Sequence, residues 1–322
     1  MTVVESVLGP IDSSKLGFTL MHEHIIGAAA GIPQAYPELL GKGYVDRIVR
    51  ELKRVKRTGV KTIVDATTFD LGRDASLLAK VSRKSGVNLI ATTGWWLEMP
   101  HILGNFSIDQ FTKLFIREIR TGINGTAIKA GILKAAADIG GVTPTGEITL
   151  RAVARAHLQT KVPIMLHSYP LGQIGRSQLA ILKEEGVDLK WVKVDHCTDT
   201  TDMEYLGWLL EQGCYLGMDK YPGTDVAPNF SVSPLARIQT LKALIDAGYS
   251  SRLLLSHDAC LVSTLLDTAP AQVKEAINQR NPYGFLYINK VVFPQLQEMG
   301  IPVKTLISMC TDNPHHFFEG SE

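Results

Sequence analysis

Cysteine is scarce and scattered in this chain. Its four cysteines, Cys197, Cys214, Cys260 and Cys310, make no CxxC pair and no dense framework. That excludes a disulfide scaffold and leaves reduced thiols in a cytoplasmic protein as the expectation. Cys197 and Cys260 fall close to the polar residues singled out below, but read as small apolar packing residues at strand ends. An excess of one charge is missing too. The formal net charge is +1, so bulk charge offers no hold on a nucleic acid or a membrane surface, and neither is expected as a partner. No apolar run reaches the roughly 18 residues of a membrane span. The opening MTVVESVLGPIDSSKLG has neither a basic start nor an apolar stretch of signal-peptide length. No low-complexity linker or composition break appears, so residues 1–322 read as one domain.

What the chain does have is 322 residues, 45% of them hydrophobic and 20% charged, enough to bury a sizeable core. Eight short apolar runs rich in Val, Ile and Leu read as strands buried on both faces: Phe18–His24, Thr62–Ala66, Leu89–Thr93, Ala127–Leu133, Pro163–His167, Trp191–His196, Cys214–Met218 and Leu253–Ser256. Amphipathic segments lie between them, at Val45–Thr58, Ala75–Ser85, Ile108–Gly122, Leu150–Gln159, Gln173–Glu185, Asp202–Gln212 and Pro234–Ala247. Gly59, Gly86, Gly186, Gly213 and Gly248 follow helices, where a glycine stop is expected. Such alternation predicts parallel pairing, and eight units favour an α/β fold closed as a (β/α)₈ TIM barrel. No GxGxxG follows the first strand, which weakens an open dinucleotide-binding sheet. Two stretches break the rhythm. One is a loop from Gly27 to Gly43; the other is an apolar segment from Ala259 to Gly284 that could form a lid.

The polar residues that interrupt these runs carry the chemistry. His22 and His24 end the first strand, Lys134 the fourth, His167 the fifth and His196 the sixth, while Asp258 follows the eighth. The active site of a barrel sits at that end of the strands. Two residues apart on a strand, His22 and His24 face the same way and make a chelating start for a cation. An HxH pair alone is a weak signal, and any one of these histidines could be a satisfied core residue. Their coincidence at matching strand ends is the stronger argument. The donors also outnumber the three or so that one catalytic zinc needs, which predicts a binuclear metal centre. Lys134, within AGILKAA, is costly if charged and unpaired. It reads either as an ion-paired or snorkelling lysine, or as one carbamylated by carbon dioxide and able to bridge two cations.

GFTLMHEH, AGILKAA, IMLHSYP, VDHCTD and LLLSHDAC resemble, in order, the metal-binding segments of the phosphotriesterase family in the amidohydrolase superfamily. GPID near the start and DNPHHFF near the end extend the resemblance over nearly the whole chain. It implies a buried metal on His22, His24 and Asp258, and a more exposed one on His167 and His196. Carbamylated Lys134 and a hydroxide would bridge the two. Asp258 would orient that nucleophile and carry its proton onward. His257 is a candidate supporting partner or relay, with a purely structural role as the alternative. The cations would be divalent, zinc first, with cobalt, manganese or iron as alternatives. Related enzymes are commonly homodimers.

TGWWLEMP resembles the lactonase branch of that family, with Trp96 where a tyrosine is common, although Trp95 and Trp96 could simply pack. MDKYPGTD resembles the family's DRYG segment, with Lys220 in place of arginine. Lys220 and Tyr221 are therefore candidate substrate contacts. Leu261, Leu265 and the rest of the Ala259–Gly284 segment, with Leu97, Met99, Ile102 and Leu103, suit a fatty acyl chain, although such residues as often pack a loop. The first expectation is thus a small-molecule substrate, an N-acyl homoserine lactone, whose hydrolysis would quench acyl-lactone signalling. A phosphotriesterase or carboxylic esterase on the same site is the alternative. A catalytically silent metal-binding barrel is the non-enzyme one.

Overall fold

Every strand of the main sheet pairs in parallel with its neighbours, as the two-sided burial of its apolar runs requires. The computed structural model describes residues 2–97, 103–223 and 232–321. A short antiparallel hairpin comes first, β1 (Val3–Ser6) with β2 (Gly9–Asp12). The main strands are β3 (Phe18–Gly27), β4 (Val60–Asp65), β5 (Asn88–Gly94), β6 (Ala130–Ala136), β7 (Ile164–His167), β8 (Val192–Val194), β9 (Tyr215–Met218), β10 (Leu253–Leu255) and β11 (Cys260–Ser263). They form one curled sheet of nine strands in the order β10-β9-β8-β7-β6-β5-β4-β3-β11.

The two ends of that sheet, β10 and β11, are consecutive in the chain. One interrupted segment therefore pairs with β9 through its first half and with β3 through its second. Across the interruption, Asp258 N–H donates to the His22 carbonyl at 3.0 Å, and His24 N–H donates to Ala259 at 2.9 Å. The arrangement is that of an α/β, TIM-like barrel.

Helices α1 (Ile32–Ala35), α2 (Tyr44–Lys56), α3 (Ala75–Ser85), α4 (Ile108–Arg120), α5 (Pro144–Thr160), α6 (Gly175–Glu184), α7 (Met203–Glu211) and α8 (Pro234–Asp246) follow strands β3 to β9, with α9 (Thr264–Thr268), α10 (Ala271–Arg280), α11 (Phe293–Glu298) and α12 (Val303–Glu319) after β11. The five expected glycine stops all have positive φ, from 72° to 97°. The apolar segment from Ala259 to Gly284 contains β11, α9 and α10, so it is more ordered than the loop that its composition suggests. The Gly27–Gly43 loop likewise holds α1 and a 3₁₀ turn.

Two apolar layers result. The larger lies between sheet and helices. The smaller fills the inside of the curl, where Met21, Val64, Ile90, Ile132, Met165, Tyr215 and Leu254 meet Phe317 of α12. The polar cluster described next shares that interior. Strand boundaries differ from expectation at four of its members. His22 and His24 lie inside β3, which runs on past them to Gly27. Lys134 lies inside β6, two residues before its end, and His196 lies beyond β8 with a left-handed φ of 65°.

Candidate metal centre

Four imidazoles converge inside the curl, and each has one ring nitrogen already held. His22 Nδ1–H donates to Asp195 Oδ2 at 3.0 Å, with Asp219 Oδ2 at 3.2 Å. His24 Nδ1 bonds Thr67 Oγ1 at 2.8 Å. His196 Nδ1 bonds Asp219 Oδ1 at 3.1 Å, and His167 Nε2 lies 3.3 Å from Asp138 Oδ2. The other nitrogens turn toward one another. His22 Nε2 and His24 Nε2 each lie 3.3 Å from Asp258 Oδ1, and His196 Nε2 faces His167 Nδ1 at 2.7 Å. An outer hydrogen bond that fixes the ring and leaves the inner nitrogen as a donor is the usual arrangement around metal-binding histidines.

Backbone geometry delivers these groups. A register shift between β3 and β4 falls between Leu20 and Glu23, a bulge of the kind that re-aims side chains near active sites. His196 and Asp258 are two of only five non-glycine residues with positive φ among the described residues. Asp258 is held there by the seam. Glu23, between the two histidines of β3, accepts from Ser256 Oγ at 2.8 Å, His257 N–H at 3.0 Å and Ala259 N–H at 3.3 Å. His257 Nδ1–H also donates to Glu23. Its Nε2 accepts from Ile288 N–H at 3.2 Å, and its ring stacks on Phe285. His257 therefore braces the seam from behind, with no contact to the four imidazoles among its described partners.

Burial decides the charges. It lowers His24 to about 4. It also holds His196 well below the usual imidazole value, helped by Lys220 and His167, and lowers His167 against the pull of Asp138. These three rings are neutral, as ligation requires. Burial alone would lower His22 as well, but the Asp195 and Asp258 carboxylates prevail and raise it to about 10. The surroundings that favour a proton there favour a metal cation for the same reason. Burial would raise Asp258, yet His22 and His196 reverse this and hold it well below the usual carboxylate range. Burial lowers the Lys134 amine. Lys134 Nζ donates to the Ala66 carbonyl at 3.0 Å and lies 3.5 Å from His22 Nε2. Among the described residues no carboxylate stands within ion-pair distance of it.

Among the described residues, two groups of donors could hold a metal ion: His22 with His24 and Asp258, and His22 with His196 and Asp219. In the second, Asp219 contacts the Nδ1 atoms, which are the outer nitrogens of both rings, so the hydrogen-bond pattern makes it a brace. The first group is built from inward-facing atoms.

The chain matches the phosphotriesterase family over residues 2–318. The chain belongs to the phosphotriesterase family. It is 38% identical to the phosphotriesterase homology protein of Mycobacterium tuberculosis, over 99% of this chain and 98% of the relative. It is 36% identical to the aryldialkylphosphatase of Saccharolobus solfataricus, over 96% of each. It is also 26% identical to the N-acetyltaurine hydrolase of Rattus norvegicus, over 97% and 96%. Family and names together indicate a hydrolase. Divalent metals are typical of the phosphotriesterase family, and the donor set here fits them: imidazole nitrogen and carboxylate oxygen with no thiolate.

The family site opens on a cavity of about 220 Å³, lined by His22, His24, Lys134, His167 and Asp258 together with Gly27, Leu71, Trp96 and Cys260. Trp96 meets the His167 ring edge-on at 5.7 Å. Lys220 is not among the lining residues. Its amine pairs with Asp199 Oδ2 at 3.2 Å and lies 3.8 Å from Asp258 Oδ2. Tyr221 is buried and also off the lining, Leu261 is half-buried, and Leu265 is 78% exposed. Met99 and Ile102 lie outside the described residues. No described helix is long and apolar enough to cross a membrane.

Sequence reasoning missed the braces: Glu23, Thr67, Asp138, Asp195, Asp199 and Asp219. A signal was present for three of them, since Glu23, Asp195 and Asp219 each adjoin a residue already singled out. Thr67, Asp138 and Asp199 are ordinary in sequence and gain meaning only from their contacts.

Proposed function

We propose that this chain is a metal-dependent lactonase that opens N-acyl homoserine lactones, with weaker action on phosphotriesters. The observation that carries the metal-dependent part is the uniform arrangement of the four imidazoles, each with one nitrogen braced outside and the other turned into the cluster, three of them lining the cavity. His22, His24 and Asp258 would hold one divalent cation and His167 and His196 the other, zinc first among candidates, with Lys134 as a carbamate between them. The burial that lowers the Lys134 amine supports that last assignment, because it favours the neutral amine, the form that takes up carbon dioxide. Cations bound there would supply a deprotonated water near neutral pH and polarise the ester carbonyl.

The chain's own residues do the rest. Asp258 stays ionised and faces the cavity, so its carboxylate accepts the nucleophile's proton. The Lys220 ammonium steadies the Asp258 anion, and Asp199 anchors Lys220. Trp96 and Leu71 add apolar surface to the cavity that the donors line, where a lactone ring and its acyl chain would leave water; each methylene so buried contributes about 0.8 kcal/mol.

The aryldialkylphosphatase relative favours a second reading, a phosphotriesterase on the same site. The test is turnover by metal-reconstituted protein of short- and long-chain acyl homoserine lactones, simple γ- and δ-lactones and paraoxon. Lactone turnover above paraoxon is expected. Paraoxon turnover far above every lactone would overturn the lactonase reading. No turnover of any ester despite bound metal would favour a binding protein.

A further inference from the structure

Besides Lys134, the strands of the barrel bury a second lysine. Lys193 of β8 is fully buried and pairs in register with Met165 on one side and Tyr215 on the other. A lysine there is costly unless it is paired and hydrogen-bonded. Its amine donates to the Met21 carbonyl at 3.0 Å, forms an ion pair with Asp195 Oδ1 and lies 3.9 Å from Asp219 Oδ2. Those two carboxylates share the Nδ1–H of His22, and Asp219 also takes His196 N–H at 2.8 Å and its Nδ1. Space for the pair comes from Gly217 of β9. A Cβ there would lie 2.5 Å from Asp195 Oδ1 and 2.7 Å from Asp219 Oδ2. Lysine, two aspartates and the bare glycine thus form one device under the histidines.

We propose that Lys193 is a positioning residue that holds Asp195 and Asp219 side by side over Gly217, so that together they aim the inner nitrogens of His22 and His196 at a bound cation. Without the ammonium, two adjacent buried carboxylates would repel, and one would turn away from His22. The proposal rests on the metal-centre reading above.

The test measures Co²⁺ affinity of the full-length, metal-stripped protein by competition with a chromophoric chelator, together with the visible absorption of bound Co²⁺. Lys193→Met/Asp195→Asn removes the buried pair without stranding either charge, so it folds with a melting temperature near wild type. It is expected to bind Co²⁺ at least tenfold more weakly, with an altered spectrum, the size of loss usual for an outer partner of a metal-binding histidine. Gly217→Ala, which keeps all the ligands but crowds both carboxylates, is expected to move affinity and spectrum in the same direction. Wild-type affinity and spectrum in the folded double variant would overturn the proposal. Failure of that charge-balanced variant to fold would also overturn it, making the pair a stability element alone. If wild type itself binds no Co²⁺, the metal-centre reading fails first and takes this one with it.

Discussion

The donor cluster and the rim of its cavity are built on opposite principles. In the cluster His22, His24, Lys134 and His196 are buried, His167 and Asp258 are partly so, each imidazole has an outer partner, and the backbone is twisted into left-handed φ at His196 and Asp258 to deliver them. Of the residues expected to meet substrate, Trp96 and Leu261 are half-buried and Leu265 stands largely in solvent. Chemistry that depends on charge needs donors fixed to fractions of an ångström, and a rigid, fully bonded shell supplies this. Selection among apolar substrates needs only area and shape, which surface loops provide.

Substitutions in the two regions should act on different quantities. The largest effect is expected from Lys134→Ala, which should lose the paired metals and about a hundredfold or more of the activity. Short carboxylates should restore part of it. Elemental analysis with activity assays checks this, and full activity with unchanged metal content would remove Lys134 from the centre. Next comes Glu23→Ala. It strands the Ser256 hydroxyl and the His257 donors in a buried seam, so it should cost about 3 kcal/mol and lower the melting temperature by about 6 °C or more. A wild-type melting curve would show that the seam does not depend on Glu23.

The same cluster makes metal-free protein sensitive to alkali. His22 has its folded value raised from 6.5 to about 10. Its contribution to stability is therefore full below about pH 6.5 and is lost as pH rises through about 10. Denaturant unfolding in a chelator should show stability falling over that window, with His22→Gln flattening the slope. A slope unchanged by that substitution would assign the effect to other groups.

Rim substitutions should do less, and to different quantities. Trp96→Ala is expected to leave metal content unchanged and raise KM about tenfold for acyl lactones, through lost apolar contact. A loss of metal would place Trp96 with the cluster instead. Leu265→Ala, at an exposed position, should shift stability by less than about 0.5 kcal/mol. Any change in KM should be confined to long acyl chains, and an equal effect on short ones would contradict the acyl-chain role.

Much of this was legible in the chain. Helix α3 falls on its expected residues, Ala75–Ser85, because an Asp74 cap and a Gly86 stop bracket an apolar periodicity. The five histidine and aspartate donors were legible because each interrupts an apolar run. Lys193 escaped notice although it interrupts one too: a lysine in VKV is ordinary at an exposed edge, and only the closed interior makes it costly. The order within Ala259–Gly284 was equally hidden, since β11 exists by pairing with β3, more than 230 residues earlier.

By itself, then, the sequence determined the alternation of strand and helix, the parallel sheet and the set of His22, His24, Lys134, His167, His196 and Asp258. Those are properties of local pattern, periodicity and residue chemistry. Only the tertiary structure decided which nitrogen of each imidazole is held and which is offered. It also decided that His257 braces a seam, and that a lysine, two aspartates and a glycine lie beneath the histidines. Each of these depends on residues brought together across the barrel, where distance and burial set their energies.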